Sequence, residues 1–568
     1  MVLKEKTWLA QYPSEIPTSI TYPDKSLVSF LEDAYKKRPD NHAIVFMGQR
    51  LTYRELYEST VKLANGLRQL GMKSGERVSI MLPNCPQAVI SYYAVLMAGG
   101  IVVQTNPLYV ERELEHQLND SGATFIIALD WVFPRVEKVR HATNLKKILV
   151  TSLKDYLPFP KNLFFPLVSK KRGMNTKVPY SDEVLSWMKV MNEAPNEPIE
   201  MATDPDDVAI LQYTGGTTGV AKGVMLTHKN LVANVLQCTH WIFKVEYGEE
   251  KFLGMVPFFH VYGMTVVMNA CISLASTMVL LPKFDVKDAL KAIDKEKPTI
   301  FPGAPTMYIG LLNHPDIGKY DLSSIKACIS GSAPLPVEVQ QQFEKVTNGI
   351  LVEGYGLTES SPVTHCNLVW GGERVSGSIG LPWPDTDVKI VSLETSEEVG
   401  VGAIGEIAIK GPQVMKGYWN RPEDTEETLR DGWLFTGDMG YMDEKGHFYI
   451  ADRKKDMIIA GGYNIYPREV EEVLFEHPAV LECVILGIPD PYRGETVKAY
   501  IVFKDGMEVS EKELDAYCRE KLAAYKVPKL YEFREDLPKT LVGKVLRRAL
   551  RDEEMRKIST QDEAKIGD

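Results

Sequence analysis

Short runs of apolar and β-branched residues alternate with longer stretches whose apolar positions recur at helical spacing, and this alternation governs most of the chain. The run RVSIML (77–82) is followed by a helical stretch, QAVISYYAVLMAG, and then by IVVQT. Further on, DVAILQYT, KNLVANVLQ, TMVLLP, DVKDALKAIDKEKP, TIFPGAP, IKACISG, PVEVQQQFEKV and ILVEGYG continue the pattern. Such an order predicts an α/β fold of βαβ units, with parallel-rich sheets and ligands at the carboxyl ends of the strands.

Near residue 376 the texture changes. SGSIGLPWPDTDVKIV, GEIAIKGPQVMKGYW and GWLFTGDMGYMDEKGHFYIADR read as short strands separated by Gly, Pro and Asp turns, which predicts a β-rich subdomain over about 376–450. After ADRKKD (451–456) the stretches PREVEEVLFEHP, LECVILGIP, VKAYIVFKD and SEKELDAYCREKLA predict a small α+β domain. The expected division is therefore 1–452 and 453–568, hinged at about 452–455, with a charged tail after Arg551 that should fray. One run could mislead a hydropathy scan. From Phe252 to Pro282 no Asp, Glu, Lys or Arg occurs, a length that could span a bilayer. It contains His260, Asn269 and two prolines, however, and is expected to be a buried helix and a buried strand of a parallel sheet.

At 568 residues the chain is too long for one core. Its net charge of −11 argues against nucleic acid as a partner, since polyanion binders need a positive field. The seven cysteines (85, 238, 271, 328, 366, 483 and 518) are odd in number and form no CxxC pair, which suits buried thiols in a reducing compartment. The first residues, MVLKEKTWLAQYPSEIP, show no apolar core of signal-peptide length, so a cytoplasmic protein is expected.

The run TGGTTGVAKG (214–223) is the first candidate for chemistry. It is not a P-loop, because Gly223 stands where a Ser or Thr should follow Lys222. Its residues alone allow two readings: a nest of backbone N–H groups around an anion, or a loose turn with a solvated lysine. In EGYGLTE, a single carboxylate, Glu359, near a phosphate cradle would suit magnesium, or it is a helix N-terminal acid. Asp438, read as the end of a strand, could accept ribose hydroxyls or cap a turn. Arg453 and Lys454 read as a solvated pair, Lys544 as one basic residue of an exposed helix behind a tight turn at Gly543, and His260 as a packed core residue.

The motifs taken together decide among these readings. YTGGTTGVAKGVMLTHKNL, GSAPLP (331–336), EGYGLTES (353–360), GWLFTGD (432–438), ADRKKDMIIAGGYNIYPREVEE (451–472) and PKTLVGKVLRR (538–548) resemble, in order, the motifs of the adenylate-forming superfamily. That superfamily contains acyl-CoA synthetases, peptide-synthetase adenylation domains and firefly luciferase. The resemblance runs from TYRELYESTVKLANGL at 52 to Arg548. It implies that Thr214, Gly215, Gly216, Thr217, Thr218, Gly219 and Lys222 cradle the phosphates of ATP. Gly331, Ser332, Ala333 and Tyr355 would flank the adenine, Gly356 and Thr358 would also bind the nucleotide, and Asp438, with Arg453, would bind the ribose. Thr214 and Glu359 would hold Mg2+, and Lys544 would contact the carboxylate and the α-phosphate. His260 and Gly263 would line the acyl pocket. Lys455 matches the hinge position, while Gly461 and Gly462 would lie beside the pantetheine of coenzyme A.

The implied reaction has two steps. A carboxylate attacks ATP to give an acyl-adenylate and pyrophosphate; coenzyme A then displaces AMP. FFHVYG carries no acid to hold a substrate amine, and the sequence is most similar to bacterial long-chain fatty acyl-CoA synthetases. A CoA ligase for medium-chain or aromatic acids is the nearest alternative. A luciferase-type oxygenase shares the motifs, but nothing in the chain demands oxygen chemistry. A silent acyl- or nucleotide-binding relative would be expected to lose Lys544, Glu359 or Asp438, and all three are present. YLPFPKNLFFPLVSKKRG (156–173) places Phe and Leu beside basic residues and reads either as a peripheral membrane contact or as a plain surface insertion. The resemblance also admits a homodimer, for which the sequence offers no interface.

Overall fold

In the computed structural model, which describes residues 6–171, 176–199, 203–214, 221–460, 463–490, 492–540 and 543–566, the β-branched runs become the central strands of two large sheets. The first has eight strands. Val208–Thr214, Ile101–Gln104, Arg77–Met81, Phe125–Leu129, Lys147–Thr151 and Val184–Ser186 lie parallel, and Lys222–Thr227 and Gly417–Tyr418 add an antiparallel edge. The second has nine. Its parallel centre runs Ile350–Gly356, Ala327–Ser330, Ile300–Gly303, Lys251–Gly254, Thr277–Leu280 and His42–Phe46.

Helices cover these sheets for reasons visible in the sequence. Pro86–Met97 begins with proline at its first position, is apolar but for Gln87 and Ser91, and is buried along its whole length. It packs against Tyr53–Gln69, whose start is fixed by Thr52 and Glu55 bonding reciprocally across the first turn. The uncharged run 252–282 is a buried helical segment and a buried parallel strand, as expected, but the helical segment is wound unusually. Between the strands Lys251–Gly254 and Thr277–Leu280 the chain forms a π-helical segment, Gly263–Asn269, that continues as the short helix Ala270–Ser273. Asn269 is buried yet satisfied by the hydroxyls of Tyr92 and Tyr93, so its polarity is accommodated inside protein. Among the described residues no helix is long and apolar enough to cross a membrane.

The β-rich region follows as a five-stranded antiparallel sheet of Asp387–Val391, Gly405–Lys410, Leu429–Arg430, Trp433–Met442 and Phe448–Arg453. Its inner residues join the core of the two large sheets. The smaller C-terminal unit keeps its own cores on the two faces of one sheet. Cys483, Ile485, Ala499 and Ile501 pack with Leu474 and Leu514. Val484, Leu486, Tyr500 and Val502 pack with Leu537 and Leu550. The period of two along Val480–Asp490 and Gly494–Phe503 produces this division. The tail expected to fray is instead the helix Arg547–Ile566. Leu550 closes one core, and Glu554 accepts from Lys498 at 2.7 Å, so the first turns of this helix have buried partners.

Candidate active site

Thr214 and Lys222 face each other in register at the ends of the hairpin strands Val208–Thr214 and Lys222–Thr227. Gly215, Gly216, Thr217, Thr218 and Gly219 lie outside the described residues. Lys222 is ion-paired with Asp424 and stands 5.2 Å from the centre of the Tyr418 ring. Tyr418 belongs to the edge strand paired with Lys222–Thr227, and its hydroxyl donates to Glu359 at 2.8 Å. A continuous set of contacts therefore ties Lys222 to Glu359. Burial pushes the Glu359 carboxyl above the ordinary range, with the Tyr418 hydroxyl opposing it.

A second group lies where Ile350–Gly356 leaves the large sheet. The Tyr355 hydroxyl donates to Asp438 at 2.6 Å. A hydrogen bond to a carboxylate of this kind contributes about 1.5–3 kcal/mol. Asp438 lies inside the strand Trp433–Met442, not at its end as expected, and is paired in register with Arg453 of Phe448–Arg453. The two charged groups stand 3.5 Å apart. Arg453 is thus held by the sheet and is not a free linker charge. Ser332 adopts a left-handed φ of 72° beside Gly331, and its buried hydroxyl, like that of Ser330, has no partner among the described residues. Ala333 follows in the same turn, and Gly356 and Thr358 continue the chain from Tyr355.

The third group comes from the small domain. Gly543 takes the tight turn expected of it, with φ 76°, and presents Lys544 ahead of the helix Arg547–Ile566. A Cβ at Gly543 would stand 1.9 Å from Oγ1 of Thr306 in the large domain, so the two domains touch at this glycine. Lys544 is partly buried, not the exposed helical lysine that its local sequence suggests. Desolvation, then Arg453, and further Lys455 and Arg547, pull its ammonium down to about 7, with Asp438 opposing. His260 is close enough for Lys544 to act on it electrostatically; burial first, and then that lysine, lower its imidazole to about 4. It is therefore neutral, and Nδ1 accepts the Tyr262 N–H at 3.3 Å. Gly263 has a packing reason to be glycine, since a Cβ there would lie 2.4 Å from the Pro257 carbonyl oxygen. Lys455 is exposed, and Gly461 and Gly462 lie outside the described residues.

The geometry joins a neutral histidine, a carboxylate held by a tyrosine, and Lys544 beside Arg453, Lys455 and Arg547, with Asp438 the anion that faces it. Comparison with known proteins shows the family. The profile of the AMP-binding enzymes matches residues 31–419, and that of the AMP-binding enzyme C-terminal domain matches 469–544. The chain belongs to the AMP-binding enzyme family. It is 58% identical over 552 residues to a long-chain-fatty-acid–CoA ligase of Bacillus subtilis, covering 97% of this chain and 98% of that protein. It is 40% identical to the long-chain-fatty-acid–CoA ligase of an Escherichia coli strain over 564 residues, 98% of this chain and all of the other. Among solved structures, an anthranilate CoA ligase in complex with anthranoyl-AMP superposes with a TM-score of 0.82 at 28% identity, over 95% of this chain and 98% of that one.

Within this AMP-binding enzyme the structure also brings in residues that the motifs left out. Tyr418 and Asp424, which link Glu359 and Lys222, come from GYWNRPEDT; its aromatic-then-acidic pattern was the signal available. Tyr262, whose hydroxyl donates to the Ile329 carbonyl at 2.6 Å, braces the turn at Gly331 from below. Among the described residues no group of three or more His, Cys, Asp or Glu could hold a metal ion unaided. A single carboxylate such as Glu359 fits magnesium only where phosphate oxygens complete the shell.

Proposed function

We propose that the protein activates a long-chain fatty acid to its acyl-CoA thioester through an acyl-adenylate, with release of pyrophosphate and AMP. The observation that carries this reading is the convergence at one place of Lys544 from the small domain with Asp438 and Arg453 from the β-rich sheet and His260 from the large domain. Cations already pressed together and partly desolvated favour an incoming polyanion, which relieves their mutual repulsion.

In this reading Tyr355 lies beside the adenine, and Asp438 accepts from the ribose hydroxyls while Arg453 steadies it. Lys222 leaves Asp424 for the departing phosphates. Lys544 stands between the attacking carboxylate and the α-phosphate, where its charge stabilises the oxygens that gain negative charge. Neutral His260 lines the acyl side without repelling Lys544. Thr214 and Glu359 would hold Mg2+ with phosphate oxygens; when bound it would neutralise phosphate charge. For the second step the small domain turns about 452–455, Lys544 withdraws and the face bearing Gly461 and Gly462 meets the thiol. Coenzyme A sulfur attacks the acyl carbon, and AMP leaves with the bonding pair.

AMP release measured across acids of increasing chain length, with aromatic acids alongside, tests the substrate. Greater turnover of palmitate than of short, medium-chain or aromatic acids is expected; preference for any of the others overturns the long-chain assignment. The helix Lys161–Lys171 supports a peripheral membrane contact, because Phe159, Leu163, Phe164 and Leu167 are exposed on or beside it and no acidic residue occurs from 156 to 181. Co-sedimentation with anionic but not neutral vesicles is the expected result. The homodimer rests on the resemblance alone, and light scattering decides it.

A further inference from the structure

Glu353 and Arg468 are buried charges, 5% and 6% exposed, on different domains. Glu353 stands on Ile350–Gly356 of the large sheet, two residues before Tyr355. Its carboxylate accepts the Leu335 N–H at 3.3 Å and lies 3.6 Å from the Arg468 guanidinium. Arg468 is in the first turn of Pro467–Phe475, a helix of the small domain. Its Nε also donates to Glu472 at 3.0 Å, and its own N–H donates to Asp452 at 2.9 Å.

The two sides of this pair are unequal. If the small domain turned away, Arg468 would keep Glu472, which travels with it on the same helix. Glu353 would be left in the large domain without its cation. Docked without Arg468, Glu353, whose carboxyl burial already pushes up to about 7, would be a buried group with no compensating cation. Arg468 is therefore what makes the docked arrangement tolerable for Glu353. The pair is also coupled to the catalytic lysine. The Pro467–Phe475 helix carries Glu471, which accepts from Arg547 at 2.5 Å, and Arg547 lies three residues beyond Lys544. Arg547 further contacts Asp452 at 3.4 Å and Asp456 at 3.6 Å. Fixing Arg468 against the large domain therefore fixes, through one helix and one ion cluster, the turn that carries Lys544.

We propose that Glu353 and Arg468 form an interdomain positioning pair that holds the small domain where Lys544 serves adenylation, and that must open before thioester formation. The proposal rests on the two-arrangement reading given above. Neither residue touches substrate; both act through the placement of Lys544.

The test compares two half-reactions in the full chain: palmitate-dependent exchange of pyrophosphate into ATP, and thioester formation from supplied palmitoyl-adenylate and coenzyme A. Arg468→Met should lower exchange on the order of tenfold and leave the thiol step unchanged or faster. Adding Glu353→Gln should restore most of the exchange, because no lone carboxylate remains buried. A merely structural role for Arg468 within its own domain would give equal losses in both halves, or losses that add in the double variant; either result overturns the proposal. Glu353→Gln alone, which leaves the small domain intact, should give a smaller loss confined to exchange, and so carries the test even where Arg468→Met folds poorly. Lys544→Ala separates the two levels of the argument. If it damages both halves equally, the two-arrangement reading fails; if it splits them and the pair variants do not, only the latch fails.

Discussion

The large domain and the small domain contribute to the same site in opposite ways. On the large-domain side, Tyr355 is bonded to Asp438 at 2.6 Å and Tyr418 to Glu359 at 2.8 Å, and both tyrosines pack on the one large core. That half is assembled before any substrate arrives. On the small-domain side, Lys544 depends on a unit with its own cores, on a glycine pressed against Thr306 and on buried charges that cross the boundary. In the proposed function, recognition belongs to the rigid part, and the cation that drives the chemistry comes from the part that turns away. An enzyme that must first make a reactive anhydride and then expose it to a thiol benefits from this division.

The sharpest way to break the comparison is to remove the delivered group. Lys544→Ala should lower pyrophosphate exchange on the order of a hundredfold or more while thioester formation from supplied acyl-adenylate survives. Equal loss of both would show that the lysine belongs to the permanent site. Next in size, Gly543→Ala should lower exchange on the order of tenfold, because it places a Cβ against Thr306 and forces alanine to a positive φ. Thr306→Ala in the same chain should recover part of that loss, and no recovery would mean that the domains do not meet there.

A pH experiment sharpens the contrast further. The Lys544 ammonium, at about 7 in the free site, is lowered from its usual value, so its charge is lost as pH rises through 7. Bound phosphates raise it again, and ATP binding must take up a proton between these two values. Calorimetry at about pH 8, in buffers of different ionisation heat, should report that uptake, and Lys544→Ala should remove it. Correspondingly, ATP affinity should weaken as pH climbs above 7. The smallest effect is expected from Asp424→Asn, since the Lys222 pair is a quarter exposed and screened; the ATP dissociation constant should move by no more than about threefold.

The same division explains what the sequence could convey. The strands of the two large sheets were legible because their β-branched runs are local, and the tight turn at Gly543 was legible because glycine marks it. The burial of Lys544 was not, since its neighbours within VGKVLRR are those of an exposed helix and its burial depends on where an entire domain docks. The helix Arg547–Ile566 was misread as a frayed tail for a related reason: Lys498, which holds Glu554, lies 56 residues away. Asp438 was placed at a strand end because the turn-like Gly437 masks a strand that continues to Met442. Tyr418, Asp424 and the Glu353–Arg468 pair are long-range partnerships that no local pattern announces.

The seven cysteines have a consequence for selectivity among nucleophiles. Every one is buried, and burial pushes the Cys85 thiol up to about 12 and that of Cys518 to about 11. A mixed anhydride is attacked by thiolates, and these side chains offer none at neutral pH. The incoming coenzyme A therefore meets little internal competition, and the protein is protected from acylating itself. The same silence makes the chain a clean background for chemistry at its surface: a cysteine introduced on either domain would react with a thiol label far faster than the native seven, and could report the turning of one domain against the other.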